Sequence, residues 1–83
     1  MSVVRNIKYQ EELKVLFEKL YRDEGMDEEQ WQEKYRILNE GSDMELFGEA
    51  IDRFITMGKS QEDAISVLET MFREKMDYND NAT

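Results

Sequence analysis

The sequence contains no cysteine and no histidine. Without cysteine the chain has no thiolate nucleophile and forms no disulfide, and without either residue the usual zinc ligands are missing. The absence of histidine also removes the commonest general acid and base of enzymes. We therefore predict that the chain is not an enzyme, holds no metal ion and needs no cofactor.

Long apolar runs are absent too. No stretch approaches the roughly 20 apolar residues that a helix needs to cross a bilayer. The first ten residues, MSVVRNIKYQ, lack the apolar stretch of a secretory signal. We therefore expect a soluble, cytoplasmic protein that does not act at a membrane.

Proline is also missing, and only four glycines interrupt the 83 residues. Apolar residues recur at helical spacing in four segments, whereas alternation typical of a strand occurs only in the short stretch Ser2–Val4. The recurring residues are Tyr9, Leu13, Leu16, Phe17 and Leu20 in the first segment, Trp31, Tyr35 and Leu38 in the second, Met44, Phe47, Ala50, Ile51, Phe54 and Ile55 in the third, and Ala64, Ile65, Leu68, Met71 and Phe72 in the fourth. This pattern predicts an all-α fold, a small antiparallel four-helix bundle. We place the single domain at residues 8–76, between an N-terminal arm at residues 1–7 and a frayed tail at residues 77–83.

Residues typical of helix ends separate the four segments. Gly25, Gly41 and Gly58 are expected to end the first three helices, the first of which covers about residues 8–23. Asp27 with Gln30, and Ser42 with Glu45, match the capping box that starts a helix. Ser60 is expected to cap the fourth helix. Short turns with these caps favour antiparallel neighbours.

The net charge of −9 is concentrated in the middle of the sequence. Residues 23–52 carry eleven acidic and two basic residues, while residues 1–22 carry a small positive excess. An acidic chain repels phosphate backbones and anionic membranes, so neither is an expected partner. A basic protein surface is the natural complement of this charge.

Calcium binding and DNA binding are two other functions that acidic loops and paired helices can serve. A calcium-binding loop centred on Gly25 or Gly41 would place Leu20 or Arg36 at its first ligand position, where an oxygen ligand is needed. The segment Met44–Met76 matches the outline of a helix-turn-helix motif. However, its second helix is acidic over most of its polar side, and DNA readers need basic residues there. We therefore predict no direct binding of nucleic acid.

The stretch DEGMDEEQWQEKY, residues 23–35, places six carboxylates around the only tryptophan. Helix initiation explains part of this charge, because anions near the N-terminus of a helix are stabilised by its dipole. The spacing of Trp31 and Tyr35 is also that of a core stripe. As the hypothetical protein-binding region we select Glu28, Glu29, Trp31, Glu33, Tyr35 and Glu40.

Sequence reasoning thus leads to two functional hypotheses. In the first, the chain is a small acidic, non-enzymatic regulator or inhibitor that docks on a basic protein surface, with mimicry of nucleic acid as one form of this role. In the alternative, it is a structural or assembly protein that self-associates, for example as a homodimer through an apolar helix face. Nine aromatic residues and five internal methionines in so small a domain are consistent with such a face.

Overall fold

The chain forms four α-helices in the computed structural model, which describes the backbone of residues 7–81 and the side chains of residues 7–76. These helices are α1 (Gln10–Asp23), α2 (Glu28–Glu40), α3 (Asp43–Thr56) and α4 (Gln61–Asn81). The described residues contain no strand. The predicted all-α four-helix bundle is therefore confirmed.

The two ends of the domain differ from the sequence-based boundaries. Ile7, assigned to the arm, is buried against the core, and the rest of the predicted arm lies outside the described residues. α4 continues to Asn81, five residues beyond the predicted end at Met76. No proline or glycine follows Met76 to interrupt the helix. Residues 82–83 of the predicted tail lie outside the described range.

Most of the predicted helix ends are confirmed. Gly25 and Gly58 adopt left-handed backbone conformations, with φ of 92° and 100°. The Asp27 carboxylate accepts a hydrogen bond from the Gln30 amide at 2.9 Å, while the Gln30 side chain accepts one from the Asp27 amide. Ser60 Oγ likewise accepts from the Asp63 amide at 3.1 Å. These bonds satisfy amide groups that an uncapped helix start leaves without partners.

The capping box predicted at Ser42 is wrong. Ser42 precedes α3, but its side chain makes no capping hydrogen bond. Its φ and ψ are −82° and −10°, whereas a capping side chain reaches the first turn from an extended backbone. The extended conformation is found one residue earlier, at Gly41. The two-residue connection from α2 to α3 thus leaves Ser42 already turned into the helix.

α1 contacts the three other helices, as does α3. α1 runs antiparallel to α2, since the Gln10 side-chain amide donates to Asn39 at 3.0 Å while Arg22 lies over the Trp31 ring. In contrast, the ion pairs of α1 with α4 each join residues 50 apart, so these two helices run in the same direction.

α3 runs antiparallel to both α1 and α4. Its contact with α1 extends from Tyr9 and Asp52 at one end to Phe17 and Phe47 at the other. The Phe47 ring also meets the Phe72 ring of α4 edge-on, with centroids 4.9 Å apart. Both helix pairs joined by short turns of four residues, α1 with α2 and α3 with α4, are therefore antiparallel as predicted.

The core is centred on α1 and is thin. Four α1 side chains are almost completely buried and meet buried residues of α3 and α4. They are Leu13, Leu16, Phe17 and Leu20. The molecule measures 37 × 36 × 20 Å, so its smallest dimension is about two helix diameters. Each helix therefore keeps an outer face that the bundle does not cover.

Three residues, Lys8, Tyr9 and Asp52, form the Asp52 cluster, which fixes the segment before α1 against α3. The Lys8 ammonium and the Tyr9 hydroxyl both donate hydrogen bonds to the Asp52 carboxylate. The close approach depends on Gly48, where a Cβ atom would lie 2.5 Å from the Lys8 carbonyl oxygen. Only a residue without a side chain fits at that point of α3.

Candidate protein-binding surface

The densest group of carboxylates lies where α1 ends and α2 begins. Gly25 supplies the left-handed turn that brings these two helix ends together. Five exposed acidic residues lie on or beside this turn, namely Asp23, Glu24, Asp27, Glu28 and Glu29. The turn therefore gathers at one corner of the molecule charges that belong to two different helices.

Two of these five carboxylates are already engaged in stabilising the fold. Asp27 caps α2, and Asp23 pairs with Arg73 of α4 at 2.8 Å. Three remain, and we call Glu24, Glu28 and Glu29 the acidic corner. None of the three makes an ion pair with a residue in the described part of the chain. The acidic corner is thus a group of carboxylates that a cation from another molecule can reach.

The carboxylates farther along α2 are arranged differently. The Arg36 guanidinium lies between Glu33 and Glu40, at 2.7 Å and 2.8 Å from their oxygens. Its hydrogen bond to Glu33 holds the pKa of that carboxyl below its usual range. A basic partner would therefore compete with an arginine that these two residues already bind. Glu33 and Glu40 therefore differ from the acidic corner, because both already form ion pairs with Arg36.

Trp31 is not an accessible anchor. Its side chain is only 5% exposed, and the guanidinium of Arg22 lies 5.7 Å from the centre of its ring. Its indole N–H has no hydrogen-bond partner among the described residues. The expectation that Trp31 packs inside the fold is therefore confirmed, whereas its membership of the predicted contact region stays a prediction.

Tyr35 is half-buried beside the core, and burial raises the pKa of its hydroxyl. The six residues selected from the sequence thus fall into three environments. Glu28 and Glu29 are exposed at the acidic corner, Glu33 and Glu40 bind Arg36, and the two aromatic side chains pack inward. Glu24, which belongs with the first pair, was not among the six.

Sequence reasoning also missed an apolar surface on α3. Leu46 and Met57 are 58% and 74% exposed, and both lie on the side of the helix that faces away from the core. Together with four neighbours they line a shallow groove of about 330 Å³. We call this set, Leu46, Glu49, Ala50, Arg53, Phe54 and Met57, the α3 outer stripe. The signal was present in the sequence, because positions 46 and 57 are apolar but fall outside the core spacing of α3.

A second groove lies between α1 and α4 and has a volume of about 350 Å³. Val15, which is 66% exposed, lies beside Leu16 and Ile65 along it. Lys19 and Glu69 form an ion pair across the groove at 3.5 Å. The apolar part of this groove is therefore bounded by an internal contact between the two helices.

Within the described residues, no three acidic side chains lie close enough together to hold a metal ion. No helix in that same range combines the length and the apolar character that crossing a membrane requires. Besides the acidic corner and the two apolar grooves, a further groove of about 280 Å³ lies between α1, α3 and α4 beside Tyr21 and Lys75.

No protein-family model matches the chain, and neither a curated protein nor a solved structure is significantly similar to it. Its function is therefore inferred from its own residues.

Proposed function

We propose that this chain is a non-enzymatic protein-binding module that docks on a basic protein surface through the acidic corner. The observation that carries the proposal is the exposure of Glu24, Glu28 and Glu29 without an ion pair to a described residue. A carboxylate that already pairs with a cationic side chain of its own fold gains less binding free energy from a lysine or arginine of a partner. The carboxylates of the corner can bind lysine or arginine without first breaking an ion pair to a described residue, although Glu28 accepts a long 3.4 Å hydrogen bond from the Gln32 side chain.

The position of the corner also suits binding. Glu28 and Glu29 lie in the first turn of α2, and the capping box at Asp27 fixes that turn. The two carboxylates are therefore presented from a rigid helix end. Arginine binds such carboxylates with paired, directional hydrogen bonds, and lysine binds them as a point charge.

The rest of the charge distribution favours rapid encounter with a basic partner. The net charge of −9 is carried mainly by residues 23–52, which include the corner. Such a field raises the association rate with a basic surface, and salt weakens the effect. If the partner normally binds phosphates, the chain would act as an inhibitor that occupies the same basic surface.

Two triple variants of equal charge test the proposal. The corner variant carries Glu24→Gln, Glu28→Gln and Glu29→Gln. The control variant carries the same change at Glu11, Glu62 and Glu74, which are exposed on three other parts of the surface. Each variant loses three negative charges, and each loses two from the first turn of a helix, so their effects on helix stability are similar.

Immobilised wild-type chain should capture a basic protein from lysate at low salt and release it at ~0.5 M salt, where exposed charges are screened. The corner variant should lose this capture and the control variant should keep it. Equal capture by the wild type and the corner variant would contradict the proposal. Tight binding of the wild type to bare DNA in a mobility-shift assay would also contradict it.

A further inference from the structure

On the basis of the proposed function, we infer that Arg73 of α4 competes with the partner at the acidic corner, and that an arginine of the partner displaces it from Asp23. Asp23 directly precedes Glu24 and is exposed at the same turn. The Arg73 guanidinium lies 2.8 Å from its carboxylate. The corner therefore has a further carboxylate, which an arginine of the fold itself occupies.

The contact made by Arg73 shows which chemical group Asp23 binds. Arg73 Nη2 donates a hydrogen bond to Asp23 Oδ2 at 2.8 Å, and Arg73 Nε donates one to Glu69 Oε2 at 3.1 Å. The hydrogen bond to Asp23 is the main cause that raises the pKa of Arg73. A guanidinium is thus already bound at the edge of the corner.

A partner can reach this contact and replace it. The side chains of Arg73 and Asp23 are 38% and 50% exposed, and exposed ion pairs contribute little to folding stability. When Asp23 is taken by a partner, Arg73 keeps its ion pair with Glu69, which lies four residues earlier on α4. Displacement therefore leaves no charge of this pair without a contact, and the partner also gains Glu24.

An arginine of the partner is expected here rather than a lysine. A guanidinium carries its donors on several nitrogen atoms in one plane, so one arginine can bind two carboxylates at once. Arg73 does this with Asp23 and Glu69. A lysine ammonium is a more strongly hydrated point charge without this planar arrangement. It should therefore replace Arg73 less effectively.

Fluorescence anisotropy with a labelled hepta-arginine peptide as the probe compares Arg73→Gln with Arg36→Gln. Each variant loses one positive charge, and each loses an arginine that pairs with two carboxylates. Arg73→Gln frees Asp23 at the corner, whereas Arg36→Gln frees two carboxylates farther along α2. Neither net charge nor the number of freed carboxylates therefore favours Arg73→Gln over its control.

At low salt, Arg73→Gln should bind hepta-arginine roughly threefold to fivefold more tightly than the wild type, because the competing ion pair is an exposed one. Arg36→Gln should stay within about twofold of the wild type, since its freed carboxylates lie outside the corner. With hepta-lysine as the probe, the gain of Arg73→Gln should be smaller. An equal gain with both peptides would overturn the assignment of arginine as the displacing side chain.

Arg73→Lys tests the same contact at unchanged net charge. Its ammonium lacks the planar donors that join Asp23 to Glu69, so the affinity for hepta-arginine should lie between those of the wild type and Arg73→Gln. Circular dichroism shows whether each variant is folded. If Arg73→Gln does not fold, an Arg73→Lys affinity equal to that of the wild type overturns the inference. If it folds, an affinity no higher than that of Arg36→Gln overturns it.

The corner variant in the same assay separates this inference from the proposed function. If the corner variant binds hepta-arginine more weakly than the control variant while Arg73→Gln gains nothing, the acidic corner stands and the competition by Arg73 is wrong. If the corner variant binds the peptide as tightly as the wild type, the proposed function and the inference are both wrong.

Discussion

The Tyr9 hydroxyl donates a 2.6 Å hydrogen bond to the Asp52 carboxylate, joining the start of α1 to the middle of α3. Tyr9 reaches it from a left-handed backbone conformation, with φ of 59°. That conformation is unfavourable for a bulky residue and persists only where surrounding contacts hold it. The Asp52 cluster therefore connects the first turn of the fold to the helix that carries the α3 outer stripe.

Removing the Tyr9 hydroxyl should reduce the pH dependence of the folding stability. Hydrogen bonds from Lys8 and Tyr9 hold the pKa of the Asp52 carboxyl below its usual range. A lowered carboxyl pKa stabilises the fold above its ordinary value of about 4, and this stabilisation is lost as the pH falls through the lowered pKa. Tyr9→Phe should therefore melt below the wild type at neutral pH, and the difference should shrink toward pH ~3.

Tyr21→Phe is the control for this measurement. Tyr21 is half-buried, and burial raises the pKa of its hydroxyl, but within the described residues it donates to no carboxylate. Its effect on the melting temperature should be the same at pH ~3 and pH ~6. A Tyr9→Phe difference that does not change over that range would contradict the coupling of this hydrogen bond to the ionisation of Asp52.

Gly48→Ala should destabilise the fold although alanine is the better helix former. The new Cβ would lie 2.5 Å from the Lys8 carbonyl oxygen, so the backbone before α1 must move. Such overpacking typically costs about 1–3 kcal/mol, against a gain in helix propensity of about 1 kcal/mol. We expect a net loss of about 1 kcal/mol in urea denaturation.

Gly41→Ala provides the matched control. A Cβ atom added there would lie 3.6 Å from the Leu38 carbonyl oxygen, an ordinary contact distance. The backbone there is extended with φ of −82°, which alanine adopts without strain. Its free energy of unfolding should stay within about 0.5 kcal/mol of the wild type. A Gly48→Ala variant as stable as Gly41→Ala would contradict the close packing before α1.

Asp27 and Ser42 look like equivalent helix caps in the sequence, but replacing each with alanine should change the free energy of unfolding by different amounts. Asp27→Ala removes a side-chain hydrogen bond to the Gln30 amide and should cost about 1 kcal/mol. Ser42→Ala removes no capping bond and should be nearly neutral. Comparing the two by urea denaturation tests the structure of the α2–α3 connection. Equal losses would indicate that Ser42 does cap α3.

The fluorescence of Trp31 reports its burial directly, because it is the only tryptophan. A side chain that is 5% exposed should emit at shorter wavelength than free tryptophan and resist quenching by acrylamide. Unfolding in urea should remove both properties. Strong quenching in the folded protein would restore Trp31 as an accessible anchor for a partner.

The helices were predictable because their signals are local. Spacing of apolar residues and caps such as Asp27 act within a few residues, and both were confirmed. The capping box predicted at Ser42 was wrong for a structural reason, because the backbone conformation of Ser42 depends on the geometry of the two-residue connection between α2 and α3. The parallel direction of α1 and α4 was also beyond the sequence, because it depends on contacts 50 residues apart, such as Lys19 with Glu69.

The candidate surface was only partly predictable, since charge in the sequence does not reveal which carboxylates are already bound. The sequence does not distinguish Glu28 from Glu33, which are both glutamates of α2, yet Arg36 forms an ion pair only with Glu33. Glu24 was overlooked because it ends α1, while the other residues of the acidic corner begin α2. The α3 outer stripe was not predicted, because Leu46 and Met57 fall outside the core spacing of α3 and single apolar residues are common on protein surfaces.

The most direct test of the proposed function is the affinity of the captured basic partner for the wild type, the corner variant and the control variant, measured by calorimetry at low salt. Since both variants lose the same charge, a difference between them reports the position of the carboxylates. The corner variant should bind roughly tenfold more weakly or worse, and the control variant should bind within about twofold of the wild type. An equal loss in both variants would show that net charge alone, without the acidic corner, attracts the partner.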